Sequence, residues 1–159
     1  MRNATKRQKG QVIVECAFIL PVVILLGIGT LEYANLFTHG HILTVAARHG
    51  ARIASMHADE TAARAAVINF LAPDSTTGHV FHYPFTGADC TITFEAFDAA
   101  TDPASIVTGG SGGAVADAEH GDFIRCTISY PVPLLLKGMM PGTSGEEMIM
   151  TGRAIFMCN

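Results

Sequence analysis

The sequence predicts an α+β fold in which one long N-terminal helix is followed by a short helix and a small antiparallel β-sheet. Two observations predict it. The first third of the chain carries apolar and small residues at a helical period, whereas three later segments alternate with a period of two. Because the helices precede the strands, the order is that of an α+β domain rather than of alternating α/β units.

The long helix begins in a segment suited to a membrane. Residues 12–31 contain a single charged residue, Glu15, and about twenty residues at about 1.5 Å each cross the hydrocarbon of a bilayer. Pro21 lies inside this run, and because proline lacks an N–H group and crowds the preceding turn, we expect a kink there. The helix is predicted over residues 11–57, with its membrane-spanning part ending at about residue 31.

The distribution of charge predicts the orientation. The leader, residues 1–10, holds four basic residues and no acidic one, whereas all fourteen acidic residues and only six basic residues follow it. We therefore expect a cytoplasmic N-terminus, a single pass through the membrane and an α+β domain over residues 58–159 on the other side; in a bacterium, these are the inner membrane and the periplasm. The acidic balance beyond the leader argues against a nucleic-acid partner, since binding phosphates needs a basic patch.

The outer half of the long helix carries a stripe of residues from Tyr33 to Ala54, spaced three or four apart except for two adjacent pairs. Four small residues at its outer end would let another element approach closely: Ala47, Gly50, Ala51 and Ala54. The stripe could pack on the sheet of its own chain or beside helices of other chains. Glu32 lies on the same polar edge as Glu15, about 25 Å away, and is expected to be a solvated charge near the outer headgroups.

Beyond the long helix, Asp59 is a good N-cap for a short helix over residues 60–72. Alternating apolar residues predict three strands, and a weaker pattern predicts a fourth. The strands are expected at 90–97, 122–130 and 148–158, and the weaker one at 79–85. The glycine-rich segment 101–122 is expected to be a surface loop, and 130–147 a second long connection with an apolar tip.

Cysteine spacing leaves the disulfide pattern open. Cys90, Cys126 and Cys158 face the same side of the predicted sheet, and three cannot all pair. If the first two strands are neighbours, Cys126 can meet Cys90, which leaves Cys158 over; Cys16, in the membrane, is expected to be free.

Catalytic and metal-binding patterns are weak. The seven histidines lack a third ligand at metal-type spacing, and no nucleophile sits beside a recognisable base. We expect no metal, no cofactor and no enzymatic activity.

Four motifs follow one another between residues 9 and 54. They are Gly10 followed by Glu15 in "GQVIVE", a Leu-Pro pair ending at Pro21, "LEYANLF" at 31–37 and "AARHGARIA" at 46–54. The first, after a basic leader, resembles the type IV prepilin pattern. All four in this order resemble the TadE-like family, minor pseudopilins of the tight-adherence (Flp) pilus system. Cys16 departs from the pattern, in which an aromatic residue usually follows the glutamate.

The resemblance implies a role in pilus assembly and surface adherence. The implied partners are a prepilin peptidase, other pilins or pseudopilins and the inner-membrane assembly platform, with possible incorporation into a surface pilus. It implies cleavage between Gly10 and Gln11, and contact of Glu15 with the N-terminus of a neighbouring subunit. Two alternatives stay open: an uncleaved single-pass anchor carrying a periplasmic binding or adhesion module, and an ordinary cleaved signal, although no small-x-small site follows the apolar run.

Overall fold

The computed structural model describes residues 4–56, 59–71, 90–108, 112–134 and 147–158, and the predicted α+β fold is confirmed. Helix α1 covers Ala4–Ser55 and helix α2 covers Glu60–Leu71. With 52 residues, α1 is about 78 Å long. The helix continues without a break through Pro21, so the backbone does not unwind there; a kink at this proline stays a prediction.

Asp59 caps α2 as predicted. Its Oδ1 atom accepts a hydrogen bond of 3.3 Å from the N–H of Thr61, and its other carboxylate oxygen accepts one from the Thr61 hydroxyl. These bonds stabilise the charged form, so they hold the pKa of Asp59 below its usual value. The buried face of α2 packs on α1 through Ala63, Val67 and Leu71.

Three antiparallel strands form the sheet in the order β1-β2-β3: β1 is Thr91–Phe97, β2 is Phe123–Pro133 and β3 is Glu147–Met157. The predicted strands 90–97, 122–130 and 148–158 are confirmed within a few residues, and so are their apolar faces. The buried members of these faces are Ile92, Phe94, Ala96, Ile124, Cys126, Ile128, Tyr130, Ala154 and Cys158. The weaker strand predicted at 79–85 lies outside the described residues.

Strand β2 is longer than predicted, because it continues past Tyr130 to Pro133. The pairing of β1 with β2 ends at Ser129, so beyond it β2 pairs with β3 alone among the described residues. A proline has no N–H group and cannot donate a hydrogen bond to a neighbouring strand. Beyond Ser129, however, there is no described strand on the β1 side of β2 to accept such a bond. Pro131 and Pro133 therefore fit a strand that is central over one half and an edge over the other.

The sheet packs on the outer half of α1, and β3 crosses that helix closely. A Cβ atom added to Gly152 would lie 2.5 Å from the carbonyl oxygen of Leu43, and one added to Gly40 would lie 3.0 Å from the Cε of Met150. Strand and helix therefore run in the same direction. The start of β3 lies toward the N-terminal half of α1, and its end lies toward Ser55.

Within the segment 101–122, the described residues 101–108 and 112–122 are more regular than the surface loop that the sequence predicts. It contains helix α3, Pro103–Thr108, and a 3-10 turn, Val115–Asp117. Ile106 and Val115 are buried, and the backbone of Gly113 exchanges two hydrogen bonds with that of Ala96, at 2.8 and 3.0 Å. Apolar side chains thus anchor this glycine-rich segment to the domain.

Candidate membrane and assembly site

Residues 12–31 of α1 are left exposed by the domain, and we call this stretch the bare segment of the helix. Its residues are exposed apart from half-buried Gly29, and the first buried residue after them is Glu32. An 18-residue window of this helix reaches a mean hydropathy of 2.6, with none of it buried. Twenty bare residues give about 30 Å of apolar rod, the thickness of bilayer hydrocarbon. The helix is thus long and apolar enough to cross a membrane once.

Gly10, Gln11 and Glu15 lie on one continuous helical backbone. The side chain of Glu15 is exposed. Positions four apart on a helix lie on the same face, one turn from each other, so the backbone nitrogen of residue 11 lies one turn before Glu15. An amine created at residue 11 would therefore be close to the carboxylate of its own chain.

The stripe of small residues packs inside the molecule. Ala47, Gly50 and Ala51 are buried, and Ala54 is 1% exposed. A Cβ atom at Gly50 would collide with a methyl group of Val67 on α2 and lie 3.3 Å from the Sγ of Cys126 on β2. The sequence left open whether this stripe packs on the sheet of its own chain or beside helices of other chains. In the structure it packs on the sheet and on α2 of its own chain.

The prediction that Glu32 is a solvated charge is wrong, because this side chain is 1% exposed. It shares the buried face of α1 with Leu36 and His39, and the His39 Nδ1 atom lies 2.9 Å from the carbonyl oxygen of Asn35. The sequence contained the signal: Glu32, Leu36 and Leu43 follow the same helical phase. The sequence pattern around a glutamate at the membrane surface is the same as that around a buried one, and only the position of the sheet beside the helix distinguishes them.

The four cysteines are free thiols in the structure. The residue opposite Cys126 on β1 is Phe94, whereas Cys90 precedes the first paired residue, Thr91. The register therefore does not place the two predicted partners opposite one another, and a Cys90–Cys126 disulfide stays a prediction. Burial raises the pKa of Cys126 to about 12 and also raises those of Cys90 and Cys158.

A buried arginine on the face of the sheet away from α1 was not predicted. Arg125 forms an ion pair with Glu95, its cross-strand partner, with an Nε–Oε2 distance of 3.0 Å. Its Nη1 atom donates to the carbonyl oxygen of Ile106 at 2.6 Å, and its guanidinium lies 4.8 Å from the centre of the Phe97 ring. This side chain fixes α3 to the sheet, so its role is structural.

Within the described ranges, no group of three or more histidine, cysteine or acidic side chains could hold a metal ion. The histidines of "HVFH", His79 and His82, lie outside those ranges. The described part of the chain thus offers its bare helix, rather than a metal-binding cluster, as the candidate site.

Residues 10–52 match the family model of TadE-like proteins. The match covers about a quarter of the chain, confirms the resemblance and ends inside α1, before α2 and the sheet. The matched residues coincide with the apolar N-terminal helix of membrane-spanning length. No curated protein and no solved structure matches the chain.

Proposed function

We propose that this chain is a minor pseudopilin of a Tad (Flp) pilus that acts without enzymatic activity in pilus assembly and surface adherence. One observation carries the proposal. The TadE-like segment coincides with a helix whose inner half is bare, apolar and interrupted by one acidic residue, Glu15. A helix that keeps its inner half free of its own domain can pack that half against other subunits in the membrane or in a fibre.

A prepilin peptidase would remove the leader by cutting between Gly10 and Gln11. Glycine at this position supports cleavage, since it offers a protease a backbone without a side chain in the way. The four cations of residues 1–10 would hold the leader in the cytoplasm, and the domain would face the periplasm. Cleavage removes those cations and leaves one α-amine at the beginning of the bare helix.

Glu15 would then contact the α-amine of a neighbouring subunit. A carboxylate within hydrocarbon costs about 2.5–3.5 kcal/mol on insertion scales, which makes a counter-charge valuable. Each cleaved subunit supplies one such amine, four residues before its own Glu15. In a stack of subunits, the amine of the next one to assemble can reach the same carboxylate, which would couple membrane insertion to assembly on the inner-membrane platform.

The mature N-terminus tests the proposal most directly. Mass spectrometry of the protein from its native membrane should show a chain that begins at Gln11. A Gly10→Leu variant should retain the leader, because a branched side chain hinders the peptidase. A matched control is Gly27→Leu, since a Cβ atom added at Gly27 meets nothing within 4 Å beyond its own stretch of helix; it should be processed normally. A mature chain that begins at Met1 would contradict the proposal and favour the uncleaved anchor.

A further inference from the structure

The exposed face of α1 remains apolar for two turns above the membrane-spanning segment. Tyr33 is 67% exposed and Phe37 is 68% exposed, although both belong to the part of the helix beside the sheet. They continue a line from the bare segment, because Ile19, Leu26 and Tyr33 follow at seven-residue intervals, which drift by only about 20° each. The apolar surface thus extends past the expected end of the hydrocarbon without interruption.

The depth of these aromatic residues matches the headgroup layer. If hydrocarbon ends near residue 31, each headgroup region adds about 5–7 Å, or four to five helical residues. Tyr33 falls inside that layer. Phe37 starts slightly above it, but a helical side chain covers the turn on the N-terminal side of its own Cα, which lowers the ring into the layer. Aromatic side chains are enriched at this depth in membrane proteins.

A third exposed apolar residue lies at the same height on the other side of the domain. Ile149 is 72% exposed on β3, three residues before Gly152, which contacts α1 at Leu43. Three strand residues span about 10 Å and twelve helical residues about 18 Å, so Ile149 lies about 8 Å above residue 31. Two separate elements thus present apolar side chains at one depth.

Higher on the same helix the exposed face is no longer apolar. The exposed residues there are His41, Arg48, His49 and Arg52. If this face packed against the helix of another copy, nothing would require its exposed side chains to become polar at this height. A membrane does require it, because its apolar and interfacial layers end there.

We propose that Tyr33, Phe37 and Ile149 lie in the lipid headgroup layer of the membrane that α1 crosses, so that the lower end of the domain rests on the bilayer. The contact fixes the depth of the helix before any other subunit is met. It depends on the membrane span and is independent of leader cleavage and of the contact made by Glu15.

Fluorescence can test the depth directly, because the chain contains no tryptophan. Single Phe37→Trp and Ile149→Trp variants of the full chain are reconstituted into phosphatidylcholine–phosphatidylglycerol vesicles. Part of the lipid is brominated either near the headgroup or near the chain end. Leu26→Trp is the control within the span, and Met157→Trp, 56% exposed at the far end of β3, is the control away from the membrane.

Phe37→Trp and Ile149→Trp should lose fluorescence more with lipid brominated near the headgroup than near the chain end. Leu26→Trp should show the reverse order, and Met157→Trp should lose none. Unquenched emission from either the Phe37→Trp or the Ile149→Trp variant would overturn the proposal, and so would an unquenched Leu26→Trp, which would remove the span itself. If Phe37→Trp emission instead shifts to the blue only as the protein-to-lipid ratio rises, a second copy covers this face and the lipid proposal fails. None of these outcomes tests whether the leader is cleaved, which the mature N-terminus decides separately.

Discussion

Gly152 on β3 lies directly against the backbone of Leu43 on α1. A Cβ atom at position 152 would sit 2.5 Å from the Leu43 carbonyl oxygen and 2.6 Å from the backbone nitrogen of Thr44. Backbone atoms of a helix cannot move aside as a flexible side chain can. The distance between the helix and the sheet is therefore set by the absence of a side chain at this one residue.

Gly152→Ala should consequently destabilise the domain. Overpacking a core typically costs about 1–3 kcal/mol, and we expect a loss at the upper end of this range or above it. Thermal unfolding of the full chain in detergent would measure the loss. Gly113→Ala is the matched control, since a Cβ atom there would lie 3.9 Å from the nearest atom, the carbonyl oxygen of Ala96. If both variants unfold at the same temperature as the unmodified chain, the close crossing of β3 and α1 is wrong.

The ion pair of Arg125 and Glu95 should contribute more to stability than the pair on α2. Arg125 is 7% exposed at its side chain and Glu95 is 29% exposed, whereas Arg64 and Glu60 are exposed by 42% and 46%. Removing one partner of a fully buried pair costs about 3–5 kcal/mol, and the partial exposure of Glu95 reduces this to about 1–3 kcal/mol. Denaturant unfolding should show such a loss for Glu95→Gln and less than about 0.5 kcal/mol for Arg64→Gln. Equal losses would refute the structural role of Arg125.

The Cys126 thiol should be inert in the folded protein. Burial raises its pKa from 9.0 to about 12, so at pH 8 roughly one thiol in ten thousand is ionised, and the thiolate is the reactive form. In detergent, iodoacetamide should leave Cys126 unmodified in the folded protein and modify it only after unfolding, as peptide mapping would show. The same mapping without reduction would reveal a Cys90–Cys126 disulfide if one forms.

The pKa of Cys126 is higher in the folded protein than in the unfolded chain. Its contribution to the free energy of unfolding is therefore complete below pH 9 and falls as the pH rises toward 12.

Glu15→Gln separates assembly from processing. The amide preserves the shape of the side chain but removes the charge, so the α-amine of a neighbour would lie unpaired in a medium of low dielectric constant. Loss of such a partner costs about 3–5 kcal/mol, enough to lower incorporation by orders of magnitude. We expect normal removal of the leader, mature protein stranded in the membrane and few pili by electron microscopy. Wild-type pili would contradict the role of Glu15 in assembly, whereas loss of cleavage would assign Glu15 to recognition by the peptidase.

The outer half of α1 should be indispensable to the domain. Leu36, Leu43 and Ala47 belong to the same buried cluster as the sheet residues, and a small sheet without a cover for its apolar face is marginal at best. A chain truncated to residues 58–159 should therefore be digested rapidly by protease. One that begins at Thr30, and so keeps Glu32 on the buried face, should be soluble and resistant. Equal resistance of the two would show that α1 is not part of the core.

The sequence by itself determined the fold class, the bare apolar helix and the faces of the three strands. Each of these depends on a local period: 3.6 residues for the stripe that ends at Ala54, two for the alternation around Ile124 and Cys126, and an uninterrupted apolar run for residues 12–31. The motifs that resemble TadE-like proteins lie in this strongly patterned region, which is why the resemblance could be seen from the residues alone.

The tertiary structure alone decided which polar groups are buried and how closely the elements approach. Glu32 is buried on the same face of α1 as Leu36, a member of the core, and Arg125 is buried because α3 folds back over the sheet. Tyr33 and Phe37 fit the same apolar pattern as Leu36, yet they are exposed, because they lie on the side of the helix that the domain leaves uncovered. Periodicity shows which residues share a face; the contacts of that face depend on elements more than a hundred residues away in the chain.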